Sequence, residues 1–295
     1  MFAHKFYRFV KAREMVRRNK AAGYPKPWTD DTILQNYKFT NVHRHHDRTS
    51  HELRNEFYGK YFNADRKEVL MNCALFRYFG TWEFAKEIGW QEYETFDFEG
   101  IKETAAERLA AKQRVFTGAY VITNQGISAP KQEVVVDIFL KGLWEELQTW
   151  KLIETTNSWK EVSDHMRKTK GFGGSGFMAK EILLDTTYTG FWGDPVEDEA
   201  DGTFTFPDDW WTYTPVGPGA RRGAARVLGD EKAMAVGEAK TQEVIKDLYD
   251  LQKDYWFSDD RLAPHDIQFQ LCEFDKYERV RLGQGRPRSK YNGRV

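Results

Sequence analysis

The chain has 295 residues, which suits one large domain or two closely packed ones and is ample for a hydrophobic core. It is 30% charged with a formal net charge of -1, and its mean hydropathy is -0.71. No apolar run approaches the roughly 18 residues of a membrane helix, and the basic, aromatic N-terminus lacks the apolar segment of a secretory signal. The 15% aromatic content excludes a disordered chain. Two cysteines, Cys73 and Cys272, make neither a disulfide framework nor a Cys-based zinc site. The expected setting is therefore reducing and cytoplasmic, with no membrane.

Helix signals dominate in chain order. Residues 2–22 place apolar and aromatic side chains at helical spacing up to Gly23, and Thr29 can cap a helix reaching about Tyr37. Thr40 to Phe57 reads as another helix. Asp65 with Glu68 makes a capping box, as does Ser158 with Glu161. Residues 101–114 are rich in strong helix formers, and Pro130 precedes the apolar run Val134 to Leu147. Helices are also expected over about 177–185, over a long amphipathic stretch at 230–256, and over 264–282 with Pro264 at its start. Val115 to Thr123 fits a short strand or a buried helix equally well, and Thr203 to Phe206 alternates but is too short to carry a sheet. The expected fold is all-α, with ten to twelve helices in a single helical catalytic domain. Two lobes, roughly 1–189 and 210–295, are separated by an exposed loop or short-strand excursion near 190–209.

Charge is unevenly placed. Met1 to Lys26 holds eight bases against one acid, Glu14, and a basic tail over 279–295 carries Arg279, Arg281, Arg286, Arg288, Lys290 and Arg294. Asp194 to Asp209 holds seven acids and no base. Two basic ends could grip a phosphate backbone with salt-sensitive affinity. A solvated helix face and a frayed tail explain the same pattern.

Several constellations could carry chemistry. Gly171-Phe172-Gly173-Gly174-Ser175-Gly176 matches G-x-G-x-x-G but lacks a βαβ context, so a dinucleotide fold is not supported. The helix start after it, with Gly174 and Lys180, could hold an anion, or the glycines could simply make a tight turn. Gly217-Pro218-Gly219-Ala220 with Arg221 and Arg222 is similar to the hairpin of helix-hairpin-helix DNA-binding modules, whose backbone amides meet a phosphate. There is no G-x-x-x-x-G-K-[ST], so a P-loop kinase is unsupported. His43, His45, His46 and His51 cluster without an H-E-x-x-H pattern, and a polar, partly buried face is favoured over a metal site. On the helix expected from Thr40, Asn41, Arg44 and Arg48 share a face with Asp47 at its edge. They form either a buried network or a substrate and phosphate grip. In the last helix Asp266 and Glu273 lie two turns apart on one face, with Gln268 and Asp275 nearby and Lys276 next to Glu273. Paired carboxylates could deprotonate a nucleophile and Lys276 could hold an anionic leaving group, or the set could be a surface ladder of ion pairs.

Lys38-Phe39-Thr40-Asn41-Val42-His43-Arg44 with Asp47-Arg48-Thr49-Ser50, then Gly174 to Asp185, Gly217 to Ala220, and Asp266-Ile267-Gln268 with Leu271-Cys272-Glu273-Phe274-Asp275-Lys276-Tyr277, follow one another along nearly the whole chain. Together they resemble the phage DNA-base hypermodification family of alpha-glutamyl/putrescinyl thymine pyrophosphorylases, also described as amino acid:DNA transferases. They are similar as well to the helical domain of 5-hydroxymethyluracil DNA kinases. His45-His46 stands where the family pattern often has a hydrophobic or small residue. The resemblance implies an all-α fold related to helix-hairpin-helix DNA glycosylases. It also implies a reaction in which an amine from an amino acid or polyamine displaces pyrophosphate from the 5-methylene of a modified thymine in double-stranded DNA, after a partner 5-hydroxymethyluracil DNA kinase has acted. On that implication Arg44, Arg48 and Lys276 address the pyrophosphate, Asp266 or Glu273 is the base, and Asn41 or Gln268 reads the uracil edge of an extruded base. The residues identify no cofactor with certainty, and Mg²⁺ is the plausible ion for the pyrophosphate. The rival readings are a glycosylase or glycosyltransferase on the same base, or a non-catalytic DNA-binding module of a modification complex.

Overall fold

A computed structural model describes residues 1–118, 120–174, 176–198, 202–258, 260–287 and 290. In chain order the helices are α1 (Ala3–Ala21), α2 (Thr32–Asn36), α3 (Arg48–Leu53), α4 (Arg66–Phe79), α5 (Trp82–Ile88), α6 (Phe98–Ala110), α7 (Lys131–Glu133), α8 (Lys141–Thr149), α9 (Trp159–Met166), α10 (Phe177–Thr186), α11 (Pro218–Leu228), α12 (Glu238–Tyr255) and α13 (Pro264–Arg281). A π-helical turn, Arg54–Tyr58, continues α3, and another, Val134–Leu140, joins α7 to α8. The described strands are β1 (Val196–Asp198) and β2 (Gly202–Phe204), an antiparallel pair with Glu197 opposite Thr203. No helix is long and apolar enough to cross a membrane, among the described residues.

The chain divides into two compact units, Met1–Arg48 with Trp210–Val295, and Thr49–Asp209. This corrects the division expected from the acidic excursion. The first 48 residues pack with the C-terminal segment, because α1 buries Phe6, Tyr7 and Val10 in one cluster with Leu248, Leu271 and Phe274.

In the first unit α11 lies against α13 at very short range. A Cβ on Gly223 would stand 2.0 Å from the Leu271 carbonyl oxygen, and one on Gly219 would stand 2.9 Å from Cys272 Sγ. Close helix crossing is what these glycines serve. Gly217 is the N-cap of α11 and Pro218 its first residue, a position that needs no backbone donor. The helix expected from residue 230 starts only at Glu238. Gly229 ends α11 with φ of 105°, and the Asp230 carboxylate then accepts the Lys232 and Met234 amides in a turn.

The second unit is built around α4, whose residues from Val69 to Phe79 are all buried. An apolar helix with no polar face belongs in a core. Its two polar exceptions have specific partners. Asn72 exchanges hydrogen bonds with the backbone of Gln91, and Arg77 is treated below. Asp65 caps α4 through the Lys67 amide, but Glu68 accepts from Trp90 Nε1 and the Tyr93 amide instead of completing a box. Ser158 likewise caps α9, while Glu161 accepts the Thr156 hydroxyl. The described residues of 115–123 form neither strand nor helix. The Thr117 amide and the Tyr120 hydroxyl donate to the last carbonyls of α4, those of Phe79 and Arg77, so this segment closes the helix end. The acidic excursion is anchored rather than free. Asp209 accepts the Trp159 and Lys160 amides at the start of α9, and Thr205 bonds to the backbone around Thr187 to Trp192. Residues 199–201 lie outside the described residues.

Candidate functional site

In the first unit the segment from Lys38 to Arg44 runs antiparallel along one face of α13. Lys276 donates to the Lys38 carbonyl at 3.0 Å, and the Thr40 amide donates to Glu273 at 3.2 Å. Gln270 donates to the Asn41 carbonyl at 3.1 Å, and His43 Nδ1 stands 3.6 Å from the Asp266 carboxylate. The guanidinium of Arg44 lies 4.3 Å from the centre of the Phe269 ring. The four polar contributors on α13 are spaced by three or four residues, which is why they share a face.

The helix expected over Thr40 to Phe57 is replaced here by an irregular segment, a 3-10 turn at Arg44–His46, α3 and a π-turn. Side chains compete with the helix for its own backbone groups. Asn41 Nδ2 donates to the His46 carbonyl at 2.8 Å, and Asp47 accepts the Asn41 amide at 3.2 Å. Asp47 also pairs with Arg44, and Arg13 of α1 donates to the Asn41 side chain at 2.7 Å. The shared helical face of Asn41, Arg44 and Arg48 therefore does not exist. Asn41, Arg44 and Asp47 close a loop, and Arg48 is exposed at the start of α3.

At the Asp266 end of this seam His43, His265 and Asp266 are buried together, and Asp260 meets them from the exposed side. His43 Nε2 is 2.9 Å from Asp260, and His265 Nε2 is 3.1 Å from Asp266, with Trp210 against the His265 ring. Burial opposes the charge on His43, but Asp260 and Asp266 outweigh it and push its pKa up to about 10. Burial likewise opposes ionisation of Asp266, yet His265 and His43 hold its carboxyl well below the usual range. Glu14, the one acid in the basic N-terminal run, is buried and gathers Arg17 and Arg18. At the other end, the carboxylate of Glu273 carries the Lys276 ammonium at 2.5 Å.

The remaining expected residues of this unit do other work. Asp275 is enclosed by arginines, with Arg222 Nε at 2.9 Å and Arg226 Nε at 2.7 Å, so it ties α11 to α13 and faces no open pocket. Gln268 is buried with its amide 3.6 Å from Cys272 Sγ. Arg221 donates to the Val236 carbonyl. In the tail, Arg281 pairs with Glu278, and Arg288 and Arg294 lie outside the described residues.

The second unit holds a separate buried network. Arg77 donates through two nitrogens to Asp185, which also accepts the Tyr58 hydroxyl at 2.9 Å, and Ser50 accepts from Arg77 at 3.2 Å. Burial works against the charge on Arg77, but Asp185 and Glu181 keep the guanidinium firmly protonated. Burial pushes the Tyr58 hydroxyl and the Cys73 thiol far up, so neither is a ready nucleophile. Lys180, expected at an anion site, is 2% exposed and faces Glu181 at 3.4 Å, which removes it from any surface phosphate. Gly171 takes φ of 100° with the Phe139 ring where a Cβ would be, and Gly176 caps α10 at φ of 72°. Gly174 is also left-handed, at φ of 67°, and Ser175 of this motif lies outside the described residues.

The profile of the family described as 5-hmdU DNA kinase, helical domain, matches residues 1–286. The chain belongs to this 5-hmdU DNA kinase helical-domain family. A relative, the 5-hmdU DNA kinase of Bacillus phage SP10, is 29% identical over 241 residues, covering 76% of this chain and 36% of the relative. The matching segment thus spans about a third of that kinase. No solved structure matches the chain significantly. The helical-domain profile includes both the Lys38–Arg44 seam on α13 and the Arg77–Asp185 network.

Proposed function

We propose that this chain is a DNA thymine hypermodification enzyme. It transfers the amine of an amino acid or polyamine to the 5-methylene of pyrophosphorylated 5-hydroxymethyluracil in DNA. The amine lone pair forms the new C–N bond, the C–O bond breaks with its electrons leaving on pyrophosphate, and the surplus amine proton goes to a carboxylate. The observation that carries this reading is the family match over residues 1–286, whose SP10 relative is named for the same modified base.

The seam geometry supports a choice among the roles. Asp266 is a poor proton acceptor, since its carboxyl is buried and held well below its ordinary range. Glu273, at the Lys276 end, is the base in this reading, and Lys276 with the exposed Arg48 addresses the departing pyrophosphate. Arg44, Asn41 and Asp47 position the segment that presents them. Arg222, whose side chain stays 38% exposed beside Asp275, is assigned to the DNA backbone at the start of α11, whereas Gln268, buried against Cys272, is withdrawn from the base edge.

The test is a duplex carrying the pyrophosphorylated base, incubated with amino acids or putrescine, then digested to nucleosides for mass spectrometry. An amine-substituted thymidine with released pyrophosphate is expected, and Glu273→Gln is expected to slow its formation about 100-fold. Abasic sites, an added hexose or an added phosphate would each replace this reading with a glycosylase, a glycosyltransferase or a kinase.

A further inference from the structure

The second unit contains an open cleft of about 800 Å³ lined by residues from three places. The π-turn supplies Arg54 and Asn55, the loop after it supplies Phe62 and Asn63, and Tyr188 with the hairpin residues Glu197 and Thr203 completes it. Its volume is in the range that holds a small-molecule ligand. A π-turn inserts one residue into a helix and re-aims the side chains on it, a device common at ligand sites.

Arg54 is the unusual member. Its guanidinium lies 5.8 Å from the Tyr188 ring and 5.7 Å from the Phe204 ring. Nη1 is shut off from water and meets no hydrogen-bond acceptor, and no carboxylate pairs with the side chain among the described residues. Neighbouring arginines are different, since Arg66 donates to the Thr156 carbonyl and Arg77 to Asp185. With Nη1 closed off, the guanidinium held against the aromatic faces keeps its Nε and Nη2 edge, which has no acceptor among the described residues, for a planar anion, and a carboxylate fits that edge with two bonds. The same cleft contains one carboxylate without a cation. Glu197 accepts only the Thr203 hydroxyl, at 2.9 Å, among the described residues.

We propose that this cleft binds a free amino acid, with its carboxylate on Arg54 and its ammonium toward Glu197. Asn55 and Asn63 add hydrogen bonds at the rim. The inference rests on the proposed amine transfer and deepens it, because a lone cation beside a lone carboxylate suits a zwitterion and not a doubly cationic polyamine.

The experiment is titration calorimetry of the whole protein, without DNA, against each of the twenty standard amino acids, putrescine and inorganic phosphate. Saturable binding of at least one amino acid is expected. Arg54→Met and Glu197→Gln should each weaken it tenfold or more, and Arg54→Lys should weaken it by a smaller factor. The Arg54 side chain donates to no protein oxygen among the described residues, so the variants should keep the wild-type circular dichroism and urea midpoint, which are measured alongside. Absence of amino acid binding by folded wild-type protein overturns the proposal, as does Arg54-dependent binding of putrescine or phosphate in its place. A protein that transfers an amine to DNA but shows no Arg54-dependent amino acid binding defeats only this inference. One that binds an amino acid and transfers nothing defeats only the proposed function.

Discussion

Arg77→Met is expected to lower the unfolding free energy by about 3–5 kcal/mol. Asp185 is 0% exposed, so losing the guanidinium strands its carboxylate in the core of the second unit, while the buried Glu181 keeps Lys180 beside it. The Tyr58 hydroxyl also donates to Asp185, which couples a third group to the pair. A single substitution leaves charge buried and unpaired, whereas removing both charges leaves an ordinary polar gap. The double variant Arg77→Met with Asp185→Leu should therefore recover part of the loss, and the two single effects should not add. Urea denaturation at pH 7 reads this directly, and a thermal scan should show Arg77→Met melting roughly 10 °C below wild type. An unchanged midpoint for Arg77→Met, or strict additivity in the double variant, would mean that the network carries no such energy.

The second large effect is pH-dependent and belongs to His43. Its folded-state pKa is raised to about 10, against an ordinary value of about 6.5 in the unfolded chain. The stabilisation it contributes is therefore complete below about pH 6.5 and is lost progressively as pH rises toward 10. Asp266 acts in the opposite direction. Its folded pKa is depressed, so its contribution is present above about pH 4 and is lost as pH falls below that value. The groups facing His43 are Asp260 and Asp266, with Glu14 near enough to feel its charge and the His45, His46 and Trp256 rings around it. The wild-type advantage over His43→Gln, measured by urea denaturation, should be largest near pH 5–6 and small by pH 9–10. NMR of the imidazole should show no titration between pH 6 and 8. A stability difference independent of pH, or a His43 ring that titrates near 6.5, would contradict this assignment.

Much of the fold could be read from residue patterns. Pro264 and the spacing of Ile267, Leu271 and Phe274 define α13, and the all-round apolar character of Val69 to Phe79 defines a core helix. The seam was only half legible. Asp266, Glu273 and Lys276 share a face because helical spacing requires it, but nothing local reveals that residues 38–44 lie along that face. Asn41, Arg44 and Asp47 fit a helical pattern as well as they fit the loop they form. Only their side-chain bonds to the backbone decide between the two. Buried charge was the most obscure element. Arg13 and Glu14 look like members of a solvated basic helix, and Arg54 looks like one more surface arginine. A lone arginine inside an apolar run, as at Arg77, is the one such signal that a linear reading could have used. The glycines of α11 invited a phosphate-binding reading, yet Gly219 is accounted for by the Cys272 side chain and Gly223 by the Leu271 backbone of α13.

We propose that this protein places an amine on thymine in DNA. Nucleoside analysis by mass spectrometry of DNA from cells containing pyrophosphorylated hydroxymethyluracil, with and without this protein, tests it most directly. An amine-substituted thymidine is expected only when the protein is present, and its level should fall sharply with Glu273→Gln. Identical nucleoside profiles with and without the protein would contradict it.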